Sequence, residues 1–200
     1  MMLKLVTAPA AEPITAAEAK THDRIDGTDS DTLLALYITA ARQMTERMFG
    51  LALVTQTWDF SFDAFPPATR FDPWGAIPLP LPPLQSVTSI SYLDGNGDSQ
   101  TVSTSVYDVH ANPTQPEPGR ITLGYGQSWP DVLCIPEAIT VRFVAGFGAA
   151  SAVPEDIKTA LKFMVAHWFE NREPASQAGR IEDVPFTFQA LMGGYRQFAF

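Results

Sequence analysis

The spacing of apolar residues along this chain changes period twice. Before residue 50 and again after residue 154 they recur every three or four positions, as on a helix, and between those points they alternate. Thr15-Ala-Ala-Glu18 has the form of a capping box, in which each end residue bonds the other's orphan backbone N–H. A short helix is therefore expected from Ala16 to His22, broken by the acidic, glycine-containing stretch from Asp23 to Ser30. A second helix is expected from Asp31, capped by Asp29 or Ser30, with Gly50 as its stop. Leu33, Leu36, Tyr37, Ala40, Met44 and Met48 mark its apolar face. A third begins at Pro154, an acceptable first helical residue, with Glu155 and Asp156 where the helix dipole favours acids. Its buried stripe is Ile157, Ala160, Leu161, Met164, Val165, Trp168 and Phe169, and Pro174 ends it.

The middle of the chain alternates instead. Val54, Trp58, Phe60 and Phe62 fall on one side of an expected strand, interrupted by Gln56, with Thr55, Thr57, Asp59 and Ser61 on the other. Residues 64–83 hold seven of the seventeen prolines, which confines that stretch to edge strand or loop, because proline removes a ladder donor. Alternation from Val87 to Tyr92 runs into Asp94-Gly95-Asn96-Gly97, a strong hairpin signal. Further short strands are expected at Val102–Tyr107, at Ile121–Leu123 and at Ile139–Ala145. The expected class is α+β: a helical frame with an inserted, mostly antiparallel β module. The boundaries are 1–52 for the N-terminal helical part, 53–146 for the β module, 147–175 for the C-terminal helix and 176–200 for a terminal arm.

Composition narrows the function classes. With 46% hydrophobic residues in 200, the chain can bury an ordinary core without staples. Its one cysteine, Cys134, excludes an intrachain disulfide and is expected as a small apolar residue. No apolar run reaches the ~18 residues of a membrane helix, and no signal-peptide pattern opens the chain, so a soluble protein assembled in the cytoplasm is expected. The net charge of −9 is uneven: residues 53–150 hold three basic and nine acidic side chains, or −6. Sequence-independent DNA binding needs clustered Lys and Arg, which this chain lacks, whereas an acidic surface repels nucleic acid at close range.

Catalytic motifs are missing: there is no nucleophile elbow, no P-loop and no dinucleotide-binding glycine pattern. Asp94-Gly-Asn-Gly-Asp98 opens like a calcium loop, but the sixth and twelfth positions are Ser99 and Ser105, so a hairpin is the better reading. His167 and Glu170 are one turn apart, with Glu46 as the single further carboxylate to complete a metal set; a helix-bonded histidine is expected instead. Trp58, Trp74, Trp129 and Trp168 could line a sugar-binding groove, but they lie on separate elements. No catalytic residue, metal site or cofactor is expected, and the chain is not read as an enzyme. The features above background are surfaces. After Gly193-Gly194 the chain carries Tyr195, Arg196, Phe198 and Phe200, apolar where termini are usually frayed and polar. Such an end either folds back on its own core or inserts into a partner.

The ordered series of motifs resembles the head–tail connector (adaptor) proteins of long-tailed bacteriophages and of gene transfer agents. The residues that carry it are the capped first helix, Ala40-Ala-Arg42 to Phe49-Gly50, and Leu53-Val-Thr-Gln-Thr-Trp58. They continue with Ile77-Pro-Leu-Pro, Pro83 to Tyr92, Trp129-Pro130, the strand ending Ala145-Gly146, and Pro154 to Arg172. The resemblance implies a virion or phage-like particle component assembled as a homo-oligomeric, twelvefold ring between portal and stopper or tail proteins. It also implies a channel that passes double-stranded DNA without specific binding, and no membrane partner. It assigns Tyr195, Arg196, Phe198 and Phe200 to portal anchoring, and the Asp94, Gly95, Asn96, Gly97, Asp98 hairpin to a neighbouring ring or subunit. The alternative reading is a carbohydrate- or surface-binding β module of a tail or baseplate.

Overall fold

A computed structural model describes residues 1–67, 72, 75–171 and 186–195. The chain is α+β and folds as two units, one of residues 1–10 with 55–147 and the other of residues 11–54 with 148–200.

The first unit is made of strands. They are β1 (Met2–Thr7), β2 (Gln56–Phe62), β3 (Ile77–Pro78), β4 (Leu84–Leu93), β5 (Ser99–Thr101), β6 (Tyr107–His110), β7 (Arg120–Leu123) and β8 (Ile139–Ala145). Five form one sheet in the order β1-β2-β8-β4-β5, three form another in the order β3-β7-β6, and every pairing is antiparallel. The expected alternation on β8 holds: Ile139, Val141, Phe143 and Ala145 are buried, while Thr140, Arg142 and Val144 are not. On the polar face Arg142 donates two hydrogen bonds to the Asp59 carboxylate at 2.7 and 2.8 Å, and the Ser61 and Thr140 hydroxyls lie 3.0 Å apart. The proline tract contributes β3, an edge strand held to β7 by Ile77 opposite Ile121. Nearby, Gly119 runs so close to Leu84 that a Cβ there would overlap the leucine side chain.

Two details go beyond the alternation. β1 was not expected, since a short apolar run near a chain start carries no turn signal to mark it. Gln56 begins β2 and interrupts its apolar side as expected, opposite Ala145, but it does so as a buried polar side chain.

The second unit holds α1 (Ala16–Asp23), α2 (Asp31–Phe49), α3 (Glu155–Glu170) and α4 (Phe186–Met192). The capping box of α1 is complete: the Thr15 N–H donates to the Glu18 carboxylate at 2.7 Å, and the Glu18 N–H donates to Thr15 Oγ1 at 3.2 Å. The Thr15 N–H first, and then the Thr15 hydroxyl donating at 2.9 Å, hold the Glu18 carboxyl below its usual range. Gly50 ends α2 in the left-handed region at φ 64°. Pro154 is the N-cap of α3, with ψ 142°, rather than its first helical residue.

The buried face of α2 differs from expectation. Leu34, Ile38, Ala41, Thr45 and Phe49 are buried, whereas Leu36 is 63% and Met48 49% exposed. Both stripes have helical spacing and are offset by about one residue, so periodicity alone cannot choose between them. Charge pairing contributes to the choice. Arg42, on the inward side, donates to Glu12 at 2.7 Å and to Glu46 at 2.8 Å, while Glu46 also accepts the Leu53 N–H at 3.0 Å. A buried guanidinium satisfied by two carboxylates is tolerated where a lone one is not. On α3 the expected stripe holds for Ile157, Ala160, Leu161, Met164 and Val165, while Trp168 and Phe169 are only half-buried.

Candidate assembly surfaces

The hairpin between β4 and β5 is built around one carboxylate. Asp94 Oδ1 accepts the N–H groups of Asn96 (2.9 Å) and Asp98 (3.1 Å), and Oδ2 accepts from the Gln100 amide at 2.9 Å. Gly97 supplies the positive φ, 88°, that the turn requires. These bonds, the Gln100 one first, keep the Asp94 carboxyl below its usual range. Asp94 is therefore used in shaping the turn, and residues Gly95 to Asp98 form its exposed tip.

The terminal arm begins as structure rather than as a loose joint. Phe188 of α4 is fully buried and meets Phe49 of α2 edge-on at 6.1 Å, and Met192 is buried too. Gly193 and Gly194 continue into a single 3-10 turn, Gly193–Tyr195. The Tyr195 hydroxyl donates to both oxygens of Asp156, at 2.9 and 2.8 Å, at the start of α3. Burial, then that bond and the Asp156 charge, push the phenol well above its ordinary pKa. Tyr195 thus lies against its own helical unit. Arg196, Phe198 and Phe200 lie outside the described residues, as does Trp74.

The remaining candidates separate. Among the described residues no three His, Cys, Asp or Glu side chains are grouped to hold a metal. The His167 carbonyl accepts the Asn171 N–H at 3.0 Å and its side-chain amide at 2.9 Å. Trp58 sits in β2, Trp168 meets Tyr37 edge-on at 6.1 Å, and Trp129 stacks on Phe65 at 4.5 Å with planes 3° apart. Phe65 and Trp129 line an open cleft of about 460 Å³ with Pro66, Pro67 and Leu123. Cys134 is exposed, not packed, because it falls in the irregular turn ahead of β8 rather than on a strand face.

Features invisible to pattern reading also emerge. At the end of α1, Asp23 has only 8% of its side chain exposed, and its Oδ2 has no hydrogen-bond partner among the described residues. Burial raises its carboxyl pKa; the neighbouring His22 opposes that rise, and the Glu170 charge adds a still smaller push upward. Apolar side chains stand on two exposed surfaces, the second stripe of α2 and the whole of β1. The α2 stripe was legible as a stripe, but only the packed structure shows that its Leu36 and Met48 face outward while Leu33, Tyr37 and Met44 are half-buried.

No family model and no curated protein matches this chain. Solved structures do match. A chain in the neck of a native gene transfer agent particle, computed with C12 symmetry, superposes with a TM-score of 0.76 at 25% identity. The chain is similar to a particle-neck chain over its full length. The match covers 100% of this chain and 97% of that one. A chain of the native gene transfer agent virion matches with the same coverage, a TM-score of 0.79 and 25% identity. A chain in the neck of an empty particle, computed with C6 symmetry, shares the fold with a TM-score of 0.79 at 24% identity.

Proposed function

We propose that this protein is a structural component of the neck of a phage-like particle, an adaptor that forms a homo-oligomeric ring between the portal and the stopper or tail. The observation that carries the reading is the full-length similarity to a gene transfer agent neck chain computed with C12 symmetry. A ring repeats one heterologous contact until it closes, so each copy needs two complementary faces, and exposed apolar residues are expected on both. Leu36 and Met48 of α2 and the apolar strand β1 supply such residues. Twelve copies of a segment that carries −6 would line a channel with negative charge, and DNA would slide through without adhering.

The portal contact is assigned to Tyr195, Arg196, Phe198 and Phe200. Because Tyr195 is bonded to Asp156, engaging a portal through it means exchanging that bond for one of similar strength. The Asp94–Asp98 tip is assigned to a neighbouring subunit or ring.

Light scattering and negative-stain imaging of the purified chain, with and without purified portal, test the reading. A ring that forms alone or on the portal, and is lost on the portal when residues 193–200 are deleted, is the expected result. A chain that remains monomeric in the presence of portal refutes it. The Phe65–Trp129 stack in its apolar cleft favours one alternative, a carbohydrate- or surface-binding module, which requires saccharide binding by the isolated chain.

A further inference from the structure

Among the described residues no strand lies on the outer side of β1, and all six of its residues are exposed. Met2 is 46%, Leu3 37%, Leu5 42% and Val6 41% exposed. Sheet edges that face solvent are ordinarily short, broken by proline or rich in charge. β1 has six residues, no proline and one charge, Lys4, and its one irregularity lies beyond Leu5. The register shows which way its side chains face. Leu3 and Leu5 lie opposite Phe60 and Trp58, which lie opposite Val141 and Phe143 on β8. The apolar face of the sheet therefore continues to its edge and stops there uncovered. Backbone donors and acceptors on the outer side of β1 thus have no ladder partner among the described residues.

The opposite edge of the same sheet is also open. Among the described residues no strand lies beyond β5, and Ser99, Gln100 and Thr101 are all exposed. In a five-stranded sheet whose pairings are all antiparallel, the two edge strands run in the same direction. A head-to-tail step can therefore set β5 of one copy beside β1 of the next as a parallel pair. Two β1 strands, by contrast, would meet about a twofold axis and close a dimer. The edges also carry opposite charges, Lys4 within β1 and Asp98 directly before β5.

We infer that β1 is the docking edge for a second copy of this chain, whose β5 continues the sheet in a head-to-tail repeat. The inference rests on the ring proposed above and names its subunit contact. Its partner is a polar strand edge, Ser99–Thr101 preceded by Asp98, that pairs main chain to main chain and sets Gln100 beside Leu3 and Leu5.

Tracing the register through Tyr92 and Ile139 puts Gln100 on the face of Leu3 and Leu5, and Ser99 and Thr101 on the face of Lys4. Cysteines at Lys4 and at Ser99 or Thr101 would thus share a face. Adjacent strands are about 4.8 Å apart, inside the range of Cα separations that a disulfide spans. The full chain carrying Cys134→Ser and Lys4→Cys, with either Ser99→Cys or Thr101→Cys, is assembled with portal and oxidised with glutathione disulfide. Non-reducing electrophoresis should show a ladder of linked multimers for one of the pairs, up to the size of the ring. The single-cysteine variants should give no ladder. Rings that assemble without a ladder from either pair overturn the inference and leave the ring intact. A covalent dimer from Lys4→Cys alone also overturns it, in favour of twofold pairing of β1. If the unsubstituted chain forms no ring on portal, the ring reading fails and this contact fails with it.

Discussion

Replacing Phe188 by alanine tests whether α4 is part of the helical core or a loose start to the arm. Phe188 is fully buried and stacks edge-on with Phe49, whereas Phe186, two residues earlier on the same helix, is 77% exposed. A buried phenylalanine removes about 150–250 Å² from water, which at ~25 cal/mol per Å² corresponds to about 4–6 kcal/mol before any relaxation of the unfolded reference. Measured Phe→Ala losses of about 3–5 kcal/mol are consistent with that, and the edge-on pair adds a further ~1 kcal/mol at most. Phe188→Ala should therefore cost about 3–5 kcal/mol in urea unfolding, read from the transition of the helical signal. Phe186→Ala should change stability by no more than about 0.5 kcal/mol, as surface substitutions do. Because the chain has two units, far-UV circular dichroism and near-UV signals are followed separately, since a single transition is not assured. Equal, small effects from both substitutions would refute the packing of α4, and with it the picture of an arm rooted in the helical unit.

Three further outcomes follow from the geometry. Arg42→Ala leaves Glu12 and Glu46 facing each other without the guanidinium between them, and should cost about 3–5 kcal/mol in the same assay. Gly119→Ala forces a methyl into Leu84 and should cost about 1–3 kcal/mol; an unchanged denaturation midpoint would mean that the backbone has room to move aside. Asp23→Asn should raise stability near neutral pH. The folded pKa of Asp23 lies above its usual value, so the carboxyl contributes stability in its protonated form, below an unfolded pKa of about 3.9, and loses it as pH rises through the folded pKa. The gain from Asp23→Asn should therefore shrink as unfolding is measured at progressively lower pH, and a gain that persists at pH 3 contradicts the assignment.

Local chemistry was legible in the residues themselves. The capping box of α1, the Gly50 stop, the Asp94–Gly97 turn and the alternation on β8 each depend on neighbours within a few positions, and each was readable from the sequence. The confinement of the proline tract to an edge was equally local, since a missing N–H excludes a central strand whatever surrounds it.

Tertiary structure decided what depends on distant partners. α2 carries two apolar stripes of the same period, and the inward one is the stripe beside which Arg42 meets Glu12, thirty residues away, as well as Glu46. No periodicity within α2 contains that information. β1 became a strand because residues 56–62 offered it a ladder more than fifty positions later, and its short run has too little pattern to announce the pairing. For Tyr195 the residues left two courses open, folding back or inserting into a partner, and only folding sets Asp156 under its hydroxyl. Helix caps and turns close their hydrogen bonds within one stretch of chain, so sequence determines them; faces, edges and anchors are completed by groups that only folding brings together.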